Sequence, residues 1–157
     1  LIMTRGKELE KRANECNMVY RKQKKALILQ IPTPMLITNK GIIPQASTVD
    51  FAGLIEGGKF IAYDAKETLS KTNFPLSNIK QHQLEYLSMA NELGGIAFFL
   101  IHFKTLYPDK AFYTPISLVR YYEFEDKRKS IPIKAFKKKW LVSINNYLPH
   151  LLKMIKK

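Results

Sequence analysis

At 157 residues with 46% hydrophobic content, the chain has the length of one domain and can bury roughly two-thirds of the surface its unfolded form exposes. No window approaches the ~20 apolar residues of a membrane span, the first residues carry no secretory apolar region, and Cys16 is the single cysteine; these exclude a disulfide framework, a zinc ribbon and a membrane partner, and a soluble, intracellular protein is expected. A net charge of +13, from 26 Lys and Arg against 13 Asp and Glu, favours a polyanionic partner, because each phosphate neutralised by a basic side chain releases condensed counterions.

In chain order, residues 4–24 read as an amphipathic helix with Thr4 as N-cap and Leu9, Ala13, Cys16 and Tyr20 on its apolar stripe. A short apolar strand over 26–30 runs into Pro32-Thr33-Pro34. Strand fragments over 35–38 and 41–43 then flank Asn39-Lys40, and the prolines demote them to an edge or a projection. Two strands over 48–55 and 59–67 are joined by Glu56-Gly57-Gly58, a hairpin loop. Ser77 is placed to cap a helix reaching Leu93, where Gly94 stops it. The nearly continuous apolar run 95–103 predicts a central strand covered on both faces. One or two strands over 112–124, a basic turn over 127–130 and a closing helix over 143–155, kinked by Pro149, complete the chain. With no repeat and no low-complexity linker, residues 1–157 are expected to form a single domain.

Charge is distributed unevenly. Residues 1–30 sum to +5, residues 31–119 to zero and residues 120–157 to +8. A neutral, carboxylate-bearing centre between two basic ends suits a phosphate-tracking surface; solvated Lys-rich helix faces would give the same totals.

The hairpin carries the chemistry. If Glu56-Gly57-Gly58 is the loop, Ile55 faces Lys59, and pairs counted outward in step put Asp50 across from Asp64 and Thr48 across from Lys66. Opposed carboxylates repel unless a cation sits between them. Lys66 shares the face of Asp64, and Ala65 offers that face only its backbone carbonyl. Hard oxygen ligands for Mg²⁺ and an ammonium beside them are what phosphodiester hydrolysis requires. The alternative is a surface hairpin whose Asp64, Lys66 and Glu67 form exposed ion pairs of little worth. A bulge at Gly53 or Gly57 would shift the register and spoil the opposition.

The strings Ser47-Thr48-Val49-Asp50-Phe51, Asp64-Ala65-Lys66-Glu67-Thr68, Lys71-Thr72-Asn73-Phe74-Pro75-Leu76 and His82-Gln83, in this order, resemble the core of the RecU-type Holliday junction resolvases of the PD-(D/E)xK nuclease superfamily. Weaker similarity covers Arg5-Gly6 with Glu10, Pro32-Thr33-Pro34, the run 95–103 and Lys129-Ser130-Ile131. The resemblance implies an α/β, restriction-endonuclease-like fold, a mixed central sheet flanked by helices. It also implies a homodimer that nicks opposed strands of a four-way junction with Mg²⁺, for which Mn²⁺ substitutes, in the cytoplasm at the nucleoid or, for a viral protein, in that of the host. Residue by residue, it makes Asp50 and Asp64 the metal-binding acids, Lys66 the active-site lysine, Gln83 the glutamine on the following helix and Glu10 the first-helix acid that supports the site. Gln83 would orient the attacking water or contact the scissile phosphate; a capping or packing amide is the other reading. Two positions depart from the family pattern. Asp64 stands where Glu is common, and the segment 35–47, with Lys40, is shorter than the stalk that enters the junction centre.

Thr48, Lys40, Lys71, the cluster Lys127, Arg128 and Lys129, and the run Lys137, Lys138 and Lys139 before Trp140 are candidate DNA contacts, with solvated surface as the alternative. Tyr121 and Tyr122 suit base stacking or core packing. His82 and His150 read as surface or packing residues, and His102, within the apolar strand, as a satisfied core histidine. No phosphate-cradling GxxxxGK[ST] occurs, so no nucleotide cofactor is expected. A nuclease for other branched or duplex DNA and a non-cleaving, structure-selective DNA-binding protein are the competing readings. Leu36, Ile37, Ile42 and Ile43 are candidates for the dimer contact.

Overall fold

The computed structural model of the chain describes residues 7–45 and 48–155. Helix α1 spans Lys7–Lys22, and its stripe Leu9, Ala13, Cys16 and Tyr20 is buried as the spacing predicts; Thr4, Arg5, Gly6 and Ser47 lie outside the described residues. Strand β1 (Ala26–Gln30) follows, then a hairpin of β2 (Met35–Thr38) and β3 (Gly41–Pro44) that pair only with each other, every residue but Thr38 exposed. The prolines on either side keep this ribbon out of the main sheet.

Strands β4 (Phe51–Ile55) and β5 (Lys59–Thr68) form the predicted hairpin, and its register holds from Ile55 opposite Lys59 to Phe51 opposite Tyr63 without a bulge. The loop glycines make this possible: Gly57 and Gly58 both take positive φ, +89° and +74°, which Cβ-bearing residues resist. Strand β4 begins at Phe51 and not at Thr48. The strand stops there because, at Asp50, ladder bonding gives way to bonds made by the two carboxylates, described below. After a short strand β6 (Asn73–Pro75), a 3-10 turn over Leu76–Asn78 precedes helix α2 (Gln81–Glu92). Ser77 therefore does not cap α2; Lys80 is its N-cap, and the extended Ile79 separates turn from helix.

Strand β7 (Ile96–Phe103) is buried along its whole length and lies parallel to β5, with Asp64 beside Phe99 and Lys66 beside Ile101. A parallel neighbour needs a long crossover; α2 supplies it. Strand β8 (Lys110–Pro115) pairs with β7, but the strand predicted to reach 124 ends at Pro115. Helix α3 (Ile116–Arg120) and a wider π-helical turn (Tyr121–Glu125) occupy the rest. Strand β9 (Ser130–Pro132) pairs with β6, and β10 (Leu141–Ser143) with β8. The closing helix α4 runs Tyr147–Ile155, starting later than predicted because Ser143 ends β10. Pro149 sits in its first turn, where no intrahelical N–H bond is lost, so no kink is required.

The main sheet has the order β1-β4-β5-β7-β8-β10, antiparallel except for β5 with β7. Helices α1 and α4 cover one face and α2 and α3 the other. The architecture is thus the expected mixed α/β sheet flanked by helices. On the first face Tyr63 stacks between Phe51 and Phe98, each with its ring centroid 4.9 Å away. Its hydroxyl donates to Tyr147 Oη at 2.7 Å and accepts from Asn17 Nδ2 at 3.0 Å, and the Tyr147 hydroxyl closes the ring on Asn17 Oδ1. All three polar groups are buried and satisfied, which holds rigid the strand position immediately before Asp64.

Gly53 lies where β1 and β4 approach most closely: a Cβ there would meet the Leu27 carbonyl oxygen at 1.9 Å. Backbone cannot yield as a side-chain tip can. We expect Gly53→Ala to destabilise the protein by about 3 kcal/mol, read as a lower midpoint in urea; an unchanged midpoint would mean that the strands separate freely.

Candidate active site

Asp50, just before β4, and Asp64, in the middle of β5, hold each other's backbone. The Asp50 N–H donates to Asp64 Oδ1 at 3.0 Å, and the Ala65 N–H donates to Asp50 Oδ2 at 2.9 Å. These two bonds replace the strand ladder and keep the carboxylates side by side, as the register count requires. Lys66, two residues on and on the same face, brings Nζ to 3.0 Å from Asp64 Oδ2. Asp64 is 1% exposed, and although Lys66 is that close, its approach lacks hydrogen-bond geometry, so Oδ2 accepts no hydrogen bond.

Two helices bring the other expected residues here. Gln83 is in the first turn of α2, where its Oε1 accepts the Lys80 backbone N–H at 3.1 Å and its Nε2 donates to Asp64 Oδ1 at 3.4 Å. The amide thus caps α2 through its oxygen while its nitrogen is aimed at Asp64. Glu10, in the first turns of α1, is half-buried, and the charges of Asp64, Lys66 and Glu67 all act on its carboxyl.

Crowding of acids out of solvent has a measurable consequence. Burial, then the facing Asp64, pushes the Asp50 carboxyl up to about 8, against the lowering effect of the Ala65 N–H. Burial, then Asp64, also raises Glu10. Lys66 pairs with Asp64, but burial makes a second negative charge, on Asp50, costly. A divalent cation fits this donor set: an orphaned buried Asp64 Oδ2 beside a second carboxylate is what a hard cation neutralises. Among the described residues no three Asp, Glu, His or Cys side chains converge on one point. Two carboxylates side by side are a donor set that suits a hard divalent cation.

The candidate DNA contacts are exposed and lie on separate segments of the chain. Lys40 is on the exposed turn of the β2–β3 ribbon, and Thr48 and Lys71 are exposed beside the carboxylate pair's own segments. Lys127, Arg128 and Lys129 are exposed, and the Lys129 carbonyl accepts the Leu76 N–H at 2.9 Å, so this basic turn is tied to the β6 segment that follows the acids. The β6–β9 pairing was invisible in the sequence, since each strand is three residues long. Lys137, Lys138 and Lys139 are exposed, and Lys137 Nζ sits 5.5 Å from the Trp140 ring centre. Tyr121 stands 48% exposed, whereas Tyr122 packs against the core. His102 is buried with Nε2 2.7 Å from the Tyr107 carbonyl oxygen, the satisfied core histidine expected. His82 makes no contact with the acids among the interactions of the described residues, and His150 is exposed. Sequence reasoning missed Glu67 as a separate feature: its Oε1 accepts the Leu9 N–H of α1 at 2.9 Å. Only the motif spacing hinted at it.

A mixed sheet whose hairpin and parallel strand gather two aspartates and a lysine between flanking helices is a nuclease-like α/β fold. The chain belongs to the Recombination protein U family, which matches residues 4–157. It is 36% identical over 162 aligned positions to Holliday junction resolvase RecU from Staphylococcus aureus strains JH9, Mu50 and MRSA252, an alignment covering 94% of this chain and 76% of each relative. No helix among the described residues is long and apolar enough to cross a membrane.

Proposed function

We propose that this protein is a homodimeric endonuclease that resolves four-way DNA junctions by paired symmetric nicks, using Mg²⁺. The reciprocal Asp50–Asp64 pair with Lys66 alongside, in a chain of this family, is the observation that carries the proposal. Asp50, Asp64 and the Ala65 carbonyl would hold the cation. Bound there, it would polarise the scissile phosphate and lower the pKa of water. Lys66 would neutralise charge developing on the phosphoryl oxygens, and Gln83, its amide aimed by the Lys80 cap, would orient water or the phosphate. Glu10 would support the acids from α1. Thr48, Lys40, Lys71, Lys127, Arg128, Lys129, Lys137, Lys138 and Lys139 would contact the DNA arms, each phosphate contact steepening the loss of affinity with salt.

Two surfaces favour a second copy. The edge strand β1 and its neighbour β4 leave Leu27, Leu29 and Leu54 about half-exposed on one face. On the ribbon, Leu36, Ile37, Ile42 and Ile43 are 46%, 83%, 65% and 48% exposed. A lone monomer would carry these as an aggregation hazard. The ribbon, ten residues from Met35 to Pro44, would serve as a short stalk at the junction centre; its brevity is what favours the second reading, cleavage of other branched DNA.

Metal binding should be linked to protons. Because burial and the facing Asp64 raise the Asp50 carboxyl, a cation should compete with a proton at the pair, and apparent affinity should rise with pH towards about 8 and then level off. Calorimetry in buffers of different ionisation enthalpy would count the released proton. The folded value lies above the unfolded one, so the metal-free protein itself should lose stability as pH rises between the two. Affinity that is flat from pH 6 to pH 8 would mean that Asp50 is already ionised.

The function is tested by cleaving an end-labelled four-way junction and its matching duplex with Mg²⁺ or EDTA. Paired, symmetric, Mg²⁺-dependent nicks in the junction alone are expected. Equal cutting of flaps or duplex would favour the second reading, and tight junction binding without cleavage would leave a structure-selective DNA-binding protein.

A further inference from the structure

We propose that Glu67 is a positioning residue for the active site, clamping the first turn of α1 to the end of β5 so that Glu10 is presented to Asp64 and Lys66. The inference rests on the reading of Asp50, Asp64 and Lys66 as the catalytic centre. Strand alternation sets the geometry: Asp64 and Lys66 face α2, whereas Glu67 points to the opposite face, beneath the start of α1. There its Oε1 accepts the Leu9 N–H at 2.9 Å across 58 residues of chain. Leu9 is the third residue of α1, and its N–H is among the first four of a helix, which have no intrahelical acceptor. Glu67 thus acts as the helix's cap from a distance, with its charge at the positive end of the helix dipole.

A second tether flanks the first. Lys104, just past the end of β7, places Nζ 2.8 Å from Glu8 Oε2 and 3.8 Å from Glu67 Oε1. Glu67 itself lies beside His102 across the parallel pair, and His102 is fixed on the Tyr107 carbonyl. The first turn of α1 is therefore tied to the ends of both parallel strands. The carboxylate that makes the main tie is 8% exposed and is the immediate chain neighbour of Lys66. Glu10 follows Leu9 directly, so a shift of the Leu9 amide moves it relative to the acids. Glu67 touches neither phosphate nor water in this scheme; it acts through α1.

Reach and charge separate in two conservative variants. Glu67→Gln keeps the acceptor at the same reach and loses the charge, whereas Glu67→Asp keeps the charge and falls one methylene short of Leu9. Both would be compared with wild type in single-turnover junction cleavage, junction affinity with Ca²⁺ in place of Mg²⁺, Mn²⁺ affinity of the DNA-free protein, and melting temperature, together with Glu10→Ala and the double variant E10A/E67D. Glu67→Asp is expected to cleave about 10- to 100-fold more slowly and to bind Mn²⁺ more weakly, with junction affinity and melting temperature near wild type. Glu67→Gln should stay within a few-fold of wild type, and the double variant should be no slower than Glu10→Ala. A slower Gln than Asp variant, additive losses in the double variant, or a loss that follows melting temperature would each overturn the proposal. Wild-type cleavage by Glu10→Ala would overturn it too, since nothing would then be positioned. Unimpaired cleavage by Asp64→Asn would instead discard the catalytic centre on which it stands, a separately readable failure.

Discussion

Asp64→Asn is expected to lower junction cleavage by at least about 10³-fold while leaving junction affinity in Ca²⁺ near wild type. Asn keeps the Oδ1 acceptor for the Asp50 N–H and for Gln83, so the local backbone should persist. What disappears is the anionic Oδ2, out of solvent and without a hydrogen bond, the atom best placed to hold a cation. Electrostatic stabilisation by a bound metal amounts to several kcal/mol of barrier, and each 1.36 kcal/mol is about a factor of ten in rate. The same change takes the partner from Lys66, 3.0 Å away, so the metal-free variant should melt below wild type and should no longer be stabilised by Mg²⁺. Cleavage by the variant at wild-type rate would remove Asp64 from the reaction altogether.

Lys66→Met breaks the same pair from its other side but should differ in its response to Mg²⁺. Methionine keeps much of the apolar stem and discards the ammonium, and the reaction should slow about 10²- to 10³-fold, as for loss of one preorganised charge donor. Asp64 Oδ2 would then be buried with no cation facing it at 3.0 Å, and breaking a largely buried ion pair costs on the order of 3 kcal/mol. In EDTA the variant should melt below wild type, with much of the deficit recovered by Mg²⁺. Mg²⁺ affinity should be retained, because neither carboxylate is touched. If Lys66→Met instead abolished metal-dependent stabilisation, the lysine would be organising the site and not serving the reaction directly. Together the two variants separate holding the cation from neutralising the transition state, since one should lose the Mg²⁺ response and the other keep it.

Much of this site was written in local sequence. A three-residue loop with two glycines fixes a hairpin register, and the period of two along a strand then dictates that Asp50 meets Asp64 and that Lys66 shares the face. The buried strand β7 was equally legible, because an unbroken apolar run can be accommodated only where both faces are covered. Helix α1 followed from its 3.6-residue stripe. Ends of elements were less so. Ser77 is chemically a good N-cap, but the chain spends it on a 3-10 turn and starts α2 at Gln81, a choice made by where the β6 and β9 pieces pair. Residues 116–125 are rich in strand-forming aromatic and branched residues, yet they form helix and π turn, since the packing of Ile116 and Val119 against the second core outweighs a propensity worth a fraction of a kcal/mol.

The sequence by itself determined the carboxylate pair, its lysine and the strand that carries them, because those relations span one hairpin whose geometry is set by backbone periodicity. Only the tertiary structure decided that Gln83 would reach Asp64 from α2, that Glu10 would approach from α1, and that Glu67 would turn away from the site to hold α1 in place. Those relations join elements far apart in the chain, and their distances are fixed by how two cores pack on opposite faces of one sheet, which no local pattern encodes.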